Sequence, residues 1–167
     1  SQRGLELAQV YRAANNPYVD RLLEAIQGER GNQVIRKGKT GARQILQVLE
    51  RQHHLFLLND QKFNQGLAIP FLGYPAMTAT AAARMALKFD CPLVPVQVER
   101  LQGFSFRITF YKPLEIQKTG VFREDVKLLT SQVCASIEKW VKQRPDQWLW
   151  IHKRWPEEFW EKKIKKS

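Results

Sequence analysis

Residues that could bind or activate a substrate follow predicted strands at two places in this chain. Asn59-Asp60-Gln61 comes directly after the apolar run His54–Leu58, and Arg12 ends the alternating run Leu5–Arg12. In open α/β sheets, ligands collect at the carboxyl ends of the strands. A carboxylate at such an edge, here Asp60, can orient a substrate or a catalytic group, or it can cap a loop.

Further cations are predicted near the same sheet edge. Arg30 stands just before a strand in G-E-R-G-N, and Arg36-Lys37 ends that strand. Guanidinium groups match the oxygens of a phosphate in geometry and charge. Together with Arg12, these residues form a candidate phosphate clamp, and the alternative for each of them is a solvated surface charge.

The three histidines give weaker signals. His53 and His54 precede the predicted buried strand and lack a His-carboxylate ligand pattern, so we predict a helix-end or strand-edge role and no metal site there. His152 and Glu157 stand in an H-x4-E arrangement, but Pro156 disfavours the helix that would bring them together. We therefore predict a hydrogen-bonded structural role for His152, and we predict no metal and no cofactor.

Strands and helices alternate through the first 60 residues. The predicted strands are Leu5–Arg12, Gln33–Arg36 and His54–Leu58, the last of a type buried on both faces. One helix starts at Pro17 and a second is capped by Thr40. The order predicts an α/β fold with a mostly parallel central sheet flanked by helices. The helices carry apolar stripes that we predict to be buried: Val19, Leu22, Leu23 and Ile26, and Ala42, Ile45, Leu46 and Leu49.

The second half of the chain is predicted to continue the same domain. A loop over 60–77 leads to the helix Thr78–Phe89, and Pro145 ends a long helix of about Glu124–Arg144. Within the loop, the apolar segment Ile69–Thr78 either lines an acyl pocket or folds into the core. We find no repeat and no linker, so we predict a single domain over 1–167. The strands Leu93–Arg100 and Phe104–Tyr111 are predicted between the two helices.

The charge of the chain favours polyanionic partners. Lys and Arg number 27 against 16 Asp and Glu, a net charge of +11, which suits nucleic acid, anionic lipid or an acidic protein. No apolar run approaches the roughly 18 residues of a membrane span. Cys91 and Cys134 are predicted to be reduced core cysteines of a cytosolic protein.

The run Gln147–Trp155 holds three of the five tryptophans beside a Lys-Arg pair. It predicts an aromatic side that packs on the core and a basic side left for an anion. Beyond it, 155–167 has the composition of an amphipathic basic helix that lies on anionic lipid. The alternative is a terminal helix that closes the domain.

Six segments, in order along the chain, resemble the bacterial lipid A biosynthesis late acyltransferases, the lauroyl/myristoyl transferase family. The last segment is the most specific, and the others gain weight as an ordered set. They are V-Y-R-A-A-N-N-P (10–17), G-N-Q-V-I-R-K (31–37), L-L-N-D-Q (57–61), I-P-F-L-G-Y-P-A-M-T (69–78), P-L-V-P-V (92–96) and P-D-Q-W-L-W-I-H-K-R-W (145–155).

The resemblance implies a glycerolipid-acyltransferase-like fold and an activity. A fatty acyl chain would pass from acyl carrier protein to a hydroxyl of a phosphorylated glucosamine lipid, the lipid A precursor of lipopolysaccharide biosynthesis. The reaction would take place at the cytoplasmic face of the bacterial inner membrane.

The resemblance also implies where the catalytic pair lies. The family's catalytic His, followed after four residues by an acidic residue, precedes the V-Y-R segment, and no His stands between Ser1 and that segment. The pair is therefore expected before Ser1, and no catalytic residue is expected within this chain. The resemblance implies a C-terminal portion that lacks the catalytic pair and is inactive by itself.

Substrate-binding residues are implied as well. Asp60 and Arg30 match positions at which the family carries functional residues, Arg12 is their neighbour, and Gln61 shares the N-D-Q motif. The alternative that stays open is a non-catalytic module that binds a membrane surface or acyl carrier protein. No motif supports a nucleic-acid partner.

Overall fold

The computed structural model describes residues 6–28, 33–156 and 158. The chain divides into two compact units, 1–58 and 59–167. Helices and strands are mixed in both, so the predicted α/β class is confirmed. The prediction of a single domain stays a prediction.

The first unit is a small parallel sheet with two helical crossovers. Its elements are β1 (Leu7–Tyr11), α1 (Pro17–Gly28), β2 (Gln33–Arg36), α2 (Lys39–Glu50) and β3 (His54–Phe56). The predicted β-α-β-α-β order is confirmed here. Strand β1 lies in the middle, in the order β2-β1-β3, and all three strands run in the same direction.

One face of this sheet carries the apolar core of the unit. Ala8 of β1, Ile35 of β2 and Val48 of α2 are buried together, and Val10, Ile45 and Leu55 pack against them. Alternate residues of a strand point to the same face, so helix α2 covers the face formed by Ala8, Val10, Ile35 and Leu55. Strand β3 was predicted to be buried on both faces, but His54 is exposed and its neighbours are only half-buried.

Helix α1 meets the sheet through polar side chains, which overturns the predicted buried stripe. Asp20 and Glu24, one turn apart, bind Arg36 of β2, and Glu24 also accepts a hydrogen bond from Tyr11 of β1. These contacts hold the carboxylate side of the helix toward the sheet. The apolar side is therefore turned outward and exposed: Val19 (45%), Leu22 (60%), Leu23 (38%) and Ile26 (43%).

Helix α2 begins at Lys39 after Gly38, so Thr40 lies inside the helix and is not its cap. The helix buries Gly41 and Val48, whereas Ala42 of the predicted stripe is exposed. A Cβ atom at Gly41 would lie 2.0 Å from the carbonyl oxygen of Arg36. The absence of a side chain at Gly41 therefore lets the helix start against the end of β2.

The second unit opens with a β-hairpin where a loop over 60–77 was predicted. Strands β4 (Lys62–Phe71) and β5 (Tyr74–Thr78) pair antiparallel. Leu72 and Gly73 join them, with φ of 51° and 82°, and two consecutive positive φ angles are typical of the type I′ hairpin turn. Ile69, Phe71 and Ala76 are buried, so this segment packs into the core, and Ile69 and Pro70 also line an open cavity.

The remaining elements lie close to their predicted bounds. They are α3 (Ala81–Phe89), β6 (Val96–Arg100), β7 (Phe106–Phe110), α4 (Phe122–Gln143) and a single 3₁₀ turn at Pro145–Gln147. Strands β6 and β7 form a second antiparallel pair. Helix α4 packs on α3 and on β4. Its core cluster on the hairpin side consists of Phe71, Ala76, Ile137, Val141 and Trp155.

The expected central sheet is therefore not what the described residues form. They build one three-stranded parallel sheet and two antiparallel pairs. One antiparallel pair arises within 62–78, which was predicted as a loop, and the strands predicted between the two helices of the second half form the other. Within the described part of the chain, no helix combines the length and apolar character needed to cross a bilayer.

Gly66 lies where the two strands of the hairpin approach each other closely. Lys62 and Leu67 both pair with Thr78, so the intervening residues form a bulge. A Cβ atom at Gly66 would lie 1.9 Å from the carbonyl oxygen of Thr78, a backbone atom. We expect Gly66→Ala to lower the free energy of unfolding of the second unit by about 1–3 kcal/mol, the usual cost of overpacking.

Urea denaturation followed by tryptophan fluorescence measures this change, because all five tryptophans lie in 59–167. Exposed Gln65, next in the strand, provides the matched control. Gln65→Ala should stay within about 0.5 kcal/mol of wild type. Equal stabilities for Gly66→Ala and wild type would show that the strands do not approach so closely.

Candidate functional site

The carboxyl edge of the three-stranded sheet has the topology of a ligand site. From β1 the chain crosses to β2 on one side, and from β2 it crosses back over β1 to β3 on the other. The crevice between the carboxyl ends of β1 and β3 is thus a topological switch point, where open α/β sheets bind ligands. Arg12 is the first residue after β1 and is exposed.

The loop that carries Arg12 is held by Asp20 and by Asn16. One carboxylate oxygen of Asp20 accepts a hydrogen bond from the backbone amide of Ala14 at 2.9 Å, and the other accepts one from Arg36 at 2.7 Å. The side chain of Asn16 accepts a bond from the amide of Tyr18 at 2.9 Å, as a helix cap does. Backbone and side-chain bonds therefore place Arg12 at a defined point on the sheet edge.

Arg36, predicted as part of a phosphate clamp, is engaged by carboxylates instead. Its Nε donates to Glu24 Oε1 at 2.8 Å and its Nη2 to Asp20 Oδ2 at 2.7 Å. The bonds from Arg36 and then Tyr11 lower the pKa of Glu24, and the bond to Glu24 raises the pKa of Arg36. Burial, followed by the bond to Glu24, raises the pKa of Tyr11. The positive charge of Arg36 is compensated by two carboxylates, and the cluster joins α1 to the sheet.

The structure places the other predicted site residues as follows. Arg30 lies outside the described residues. Asp60 is half-buried just before β4, and Gln61 beside it is exposed. Arg12 belongs to the first unit, whereas Asp60 and Gln61 belong to the second.

The catalytic His pair was expected before Ser1, and Ser1 itself lies outside the described residues. The described part of the chain begins at Glu6, five residues later. No structural observation therefore bears on the position of the pair, and its placement before Ser1 stays a prediction.

Asp60 is tied down through its backbone rather than its carboxylate. Its carbonyl oxygen accepts a hydrogen bond from Arg154 Nη1 at 3.0 Å. Among the described residues, no side chain forms an ion pair with the Asp60 carboxylate. The carboxylate therefore keeps its hydrogen-bonding capacity while its peptide is fixed.

Arg154 is a fully buried cation, with 0% of its surface exposed. Its Nη2 donates to Thr78 Oγ1 at 3.4 Å and to Cys134 Sγ at 3.6 Å. The guanidinium carbon lies 4.1 Å from the ring centroid of Phe71, within the range of a cation–π contact. Nε has no hydrogen-bond partner among the described residues. Burial lowers the pKa of the guanidinium, and the nearby Cys134 and Asp60 act in the opposite direction.

The Lys-Arg pair of the tryptophan run was predicted to be exposed. Lys153 is exposed, but Arg154 is buried, so the prediction is wrong for Arg154. The predicted aromatic contact with the core is confirmed for Trp155, whose indole donates to the carbonyl of Phe71 at 3.1 Å. Trp150 is half exposed. The run bends without a regular period, so the sequence offered no pattern that would mark Arg154 as the buried member. Of the predicted tail helix, only Trp155, Pro156 and Glu158 are described.

The histidines do not form a catalytic or metal site in the described residues. His54 and His152 are exposed and His53 is half-buried. The hydrogen-bonded role predicted for His152 is not found, because its exposed ring has no described partner. No group of three His, Cys, Asp or Glu in the described segments could hold a metal ion. Both cysteines are free, with Cys134 buried as predicted and Cys91 half-buried, where burial raises the thiol pKa.

Comparison with known families identifies the chain. Residues 1–157 match the family described as bacterial lipid A biosynthesis acyltransferase. This covers nearly the whole sequence, and the chain belongs to that family. A search of curated proteins found no match. Membership of this family supports a lipid A acyltransferase activity, with an acyl donor and a lipid A acceptor as the general classes of substrate.

The Glu24–Arg36 pair predicts a pH dependence of the first unit. The folded-state pKa of Glu24 is lowered, so its contribution to stability is present above the unfolded value of about 4.3. That contribution is lost as the pH falls through the folded value. We expect Glu24→Gln to be less stable than wild type at neutral pH, and the difference to shrink on acidification.

NMR-monitored urea denaturation, read from resonances of 6–28 and 33–58, measures this difference across the pH range. Glu50→Gln, at an exposed position of α2, is the matched control and should leave stability unchanged. Added salt should also reduce the effect, since the pair is solvent-exposed. A difference that grows toward acid pH would contradict the assignment.

Proposed function

We propose that this chain serves the transfer of a fatty acyl chain from acyl carrier protein to a hydroxyl of a lipid A precursor. The observation that carries the proposal is the family match over 1–157. We place the reaction at the cytoplasmic face of the bacterial inner membrane, within lipopolysaccharide biosynthesis and a glycerolipid-acyltransferase-like fold. The surplus of 27 Lys and Arg over 16 Asp and Glu suits an acidic carrier protein and an anionic lipid surface.

The acceptor in this proposal is a phosphorylated glucosamine lipid. Each predicted site residue has a chemical role that matches a group of this lipid. The exposed guanidinium of Arg12, at the switch point of the sheet, would bind a phosphate through paired hydrogen bonds. The Asp60 carboxylate would accept hydrogen bonds from sugar hydroxyl or amide groups. Arg30 and Gln61 are proposed as further contacts, on the resemblance of their segments to the family.

The general base is proposed to come from outside this chain. On the resemblance, we propose as this base a His that is followed after four residues by an acidic residue and that precedes the V-Y-R segment. Such a pair would remove the proton from the acceptor hydroxyl as it attacks the acyl thioester, and it would return the proton to the carrier-protein thiol that leaves as the C–S bond breaks. A cation near the thioester carbonyl would stabilise the negative charge that develops on its oxygen.

Acceptor binding tests the proposed roles of Arg12 and Asp60. We expect Arg12→Ala and Asp60→Asn each to weaken the binding of a soluble bisphosphorylated glucosamine disaccharide by about 10- to 100-fold. This is the equivalent of losing a hydrogen bond to a charged group. Isothermal titration calorimetry with residues 1–167 at low salt measures the change.

Two variants in the same units provide matched controls. Arg43 is an exposed arginine of α2, and Asp90 is exposed with a left-handed backbone that asparagine tolerates. Arg43→Ala and Asp90→Asn should bind as wild type does. A loss in Arg43→Ala equal to that in Arg12→Ala would show that only net charge matters, and unchanged binding in Arg12→Ala or in Asp60→Asn would refute the proposed role of that residue.

Acyl transfer itself tests the origin of the base. We expect purified 1–167 to give no acylated acceptor above background from acyl-carrier-protein thioester, measured by mass spectrometry. The reason is that the proposed His pair lies outside it. Turnover that disappears in a His53→Ala, His54→Ala or His152→Ala variant would overturn this and place the base within the chain.

A further inference from the structure

We propose that Arg154 is a positioning residue, which fixes the Asp60 peptide so that the Asp60 carboxylate faces the acceptor. The inference rests on the proposed function, because it is the acceptor role of Asp60 that gives the position its importance. Arg154 lies 94 residues away in sequence, and its Nη1 donates directly to the Asp60 carbonyl oxygen at 3.0 Å.

The first argument is the cost of burying this cation. Arg154 is completely buried, and no carboxylate among the described residues lies within ion-pair distance of it. A buried charge without a paired partner is destabilising, and an apolar side chain of similar volume would fill the same space at less cost. Packing alone therefore does not account for a guanidinium at this position, whereas directional hydrogen bonds do.

The second argument is the geometry of the guanidinium. Arginine presents its donors in a rigid planar fork. Nη1 points to Asp60, and Nη2 points to Thr78 at the end of β5 and to Cys134 in the middle of α4. The ring of Phe71 in β4 covers the group at 4.1 Å. The location of the Asp60 peptide is thereby set relative to three regular elements.

The third argument is that the arrangement leaves the Asp60 carboxylate available. Arg154 donates a hydrogen bond to the carbonyl. No described residue forms an ion pair with the carboxylate or donates a hydrogen bond to it. An arginine that neutralised Asp60 would lower its value as a ligand group. An arginine that holds the backbone orders the residue while the carboxylate keeps its hydrogen-bonding capacity.

The hydrogen bond itself is measured first in the wild-type 1–167 chain. With ¹⁵N-labelled arginine and ¹³C-labelled backbone, we expect a scalar coupling across the hydrogen bond from Arg154 Nη1 to the Asp60 carbonyl carbon. Its absence in the folded chain at low temperature would overturn the inference before any substitution is made.

Substitution then tests the consequence for binding. We expect Arg154→Lys and Arg154→Met to shift the Asp60 carbonyl ¹³C resonance upfield and to weaken binding of the bisphosphorylated disaccharide by about tenfold, the equivalent of one hydrogen bond. Tryptophan fluorescence confirms that the second unit stays folded. Lys153→Met changes an exposed neighbour and should bind as wild type does.

The outcomes separate this inference from the proposed function. A folded Arg154→Lys variant with unchanged Asp60 resonance and affinity overturns the positioning role. A shifted Asp60 resonance in Arg154→Lys, with Asp60→Asn binding as wild type does, supports the positioning of the peptide but refutes the acceptor role of Asp60. If both Arg154 variants lose the folded fluorescence signal, the wild-type coupling decides the question.

Discussion

The second unit is organised around a cation that has been removed from water. Desolvating a guanidinium costs on the order of several kcal/mol, and a structure tolerates it only where other groups replace the lost hydration. Here a carbonyl, a hydroxyl, a thiol and an aromatic face surround Arg154. They come from the segment before β4, from β5, from α4 and from β4, so these four must be in register before the charge is accommodated.

Neighbouring residues of the same run reinforce this arrangement through backbone contacts. Trp155 donates its indole N–H to the carbonyl of Phe71, next to the hairpin turn. At that turn, the amide of Leu72, which has positive φ, donates to the carboxylate of Glu138 in α4. The bonds from Lys142 and then Leu72 lower the pKa of Glu138. The hairpin is thus bound to the C-terminal run on one side and to α4 on the other.

Local patterns in the sequence were enough to predict most of the regular elements, but not the hairpin β4–β5, which was predicted as a loop. The β-α-β-α-β order of the first unit followed from the alternation of apolar residues and from Pro17, and the ends of α4 followed from its stripe and Pro145. Burial was less predictable, as α1 shows. A stripe such as Leu22 and Ile26 normally marks the buried side, but Asp20 and Glu24 meet Tyr11 and Arg36 on the sheet. Which side faces inward depends on partners 12 or more residues away, and periodicity contains no information about them.

The functional residues differ in the same way in how far the sequence predicts them. Asp60 and Arg12 were predicted as site residues because they follow predicted strands, which is a local property. Arg154 could not be predicted in this way, because its role depends on contacts with residues 20, 76 and 94 positions away. Its charge argued for the surface, and only the arrangement of the hairpin and α4 shows why it lies inside.

Gln147, the first residue of the tryptophan run, protects a strand edge and thereby affects the solubility of the protein. Its side-chain amide accepts a hydrogen bond from the backbone N–H of Arg100 at 2.9 Å and donates one to the carbonyl of the same residue at 2.8 Å. It thus occupies both groups that Arg100, at the end of β6, would offer to another strand. Unpaired strand edges recruit strands from other molecules and lead to aggregation. In a hairpin with exposed Val98, Phe106, Ile108 and Phe110, a single glutamine side chain takes the place of an incoming strand and blocks the growth of the sheet at that end.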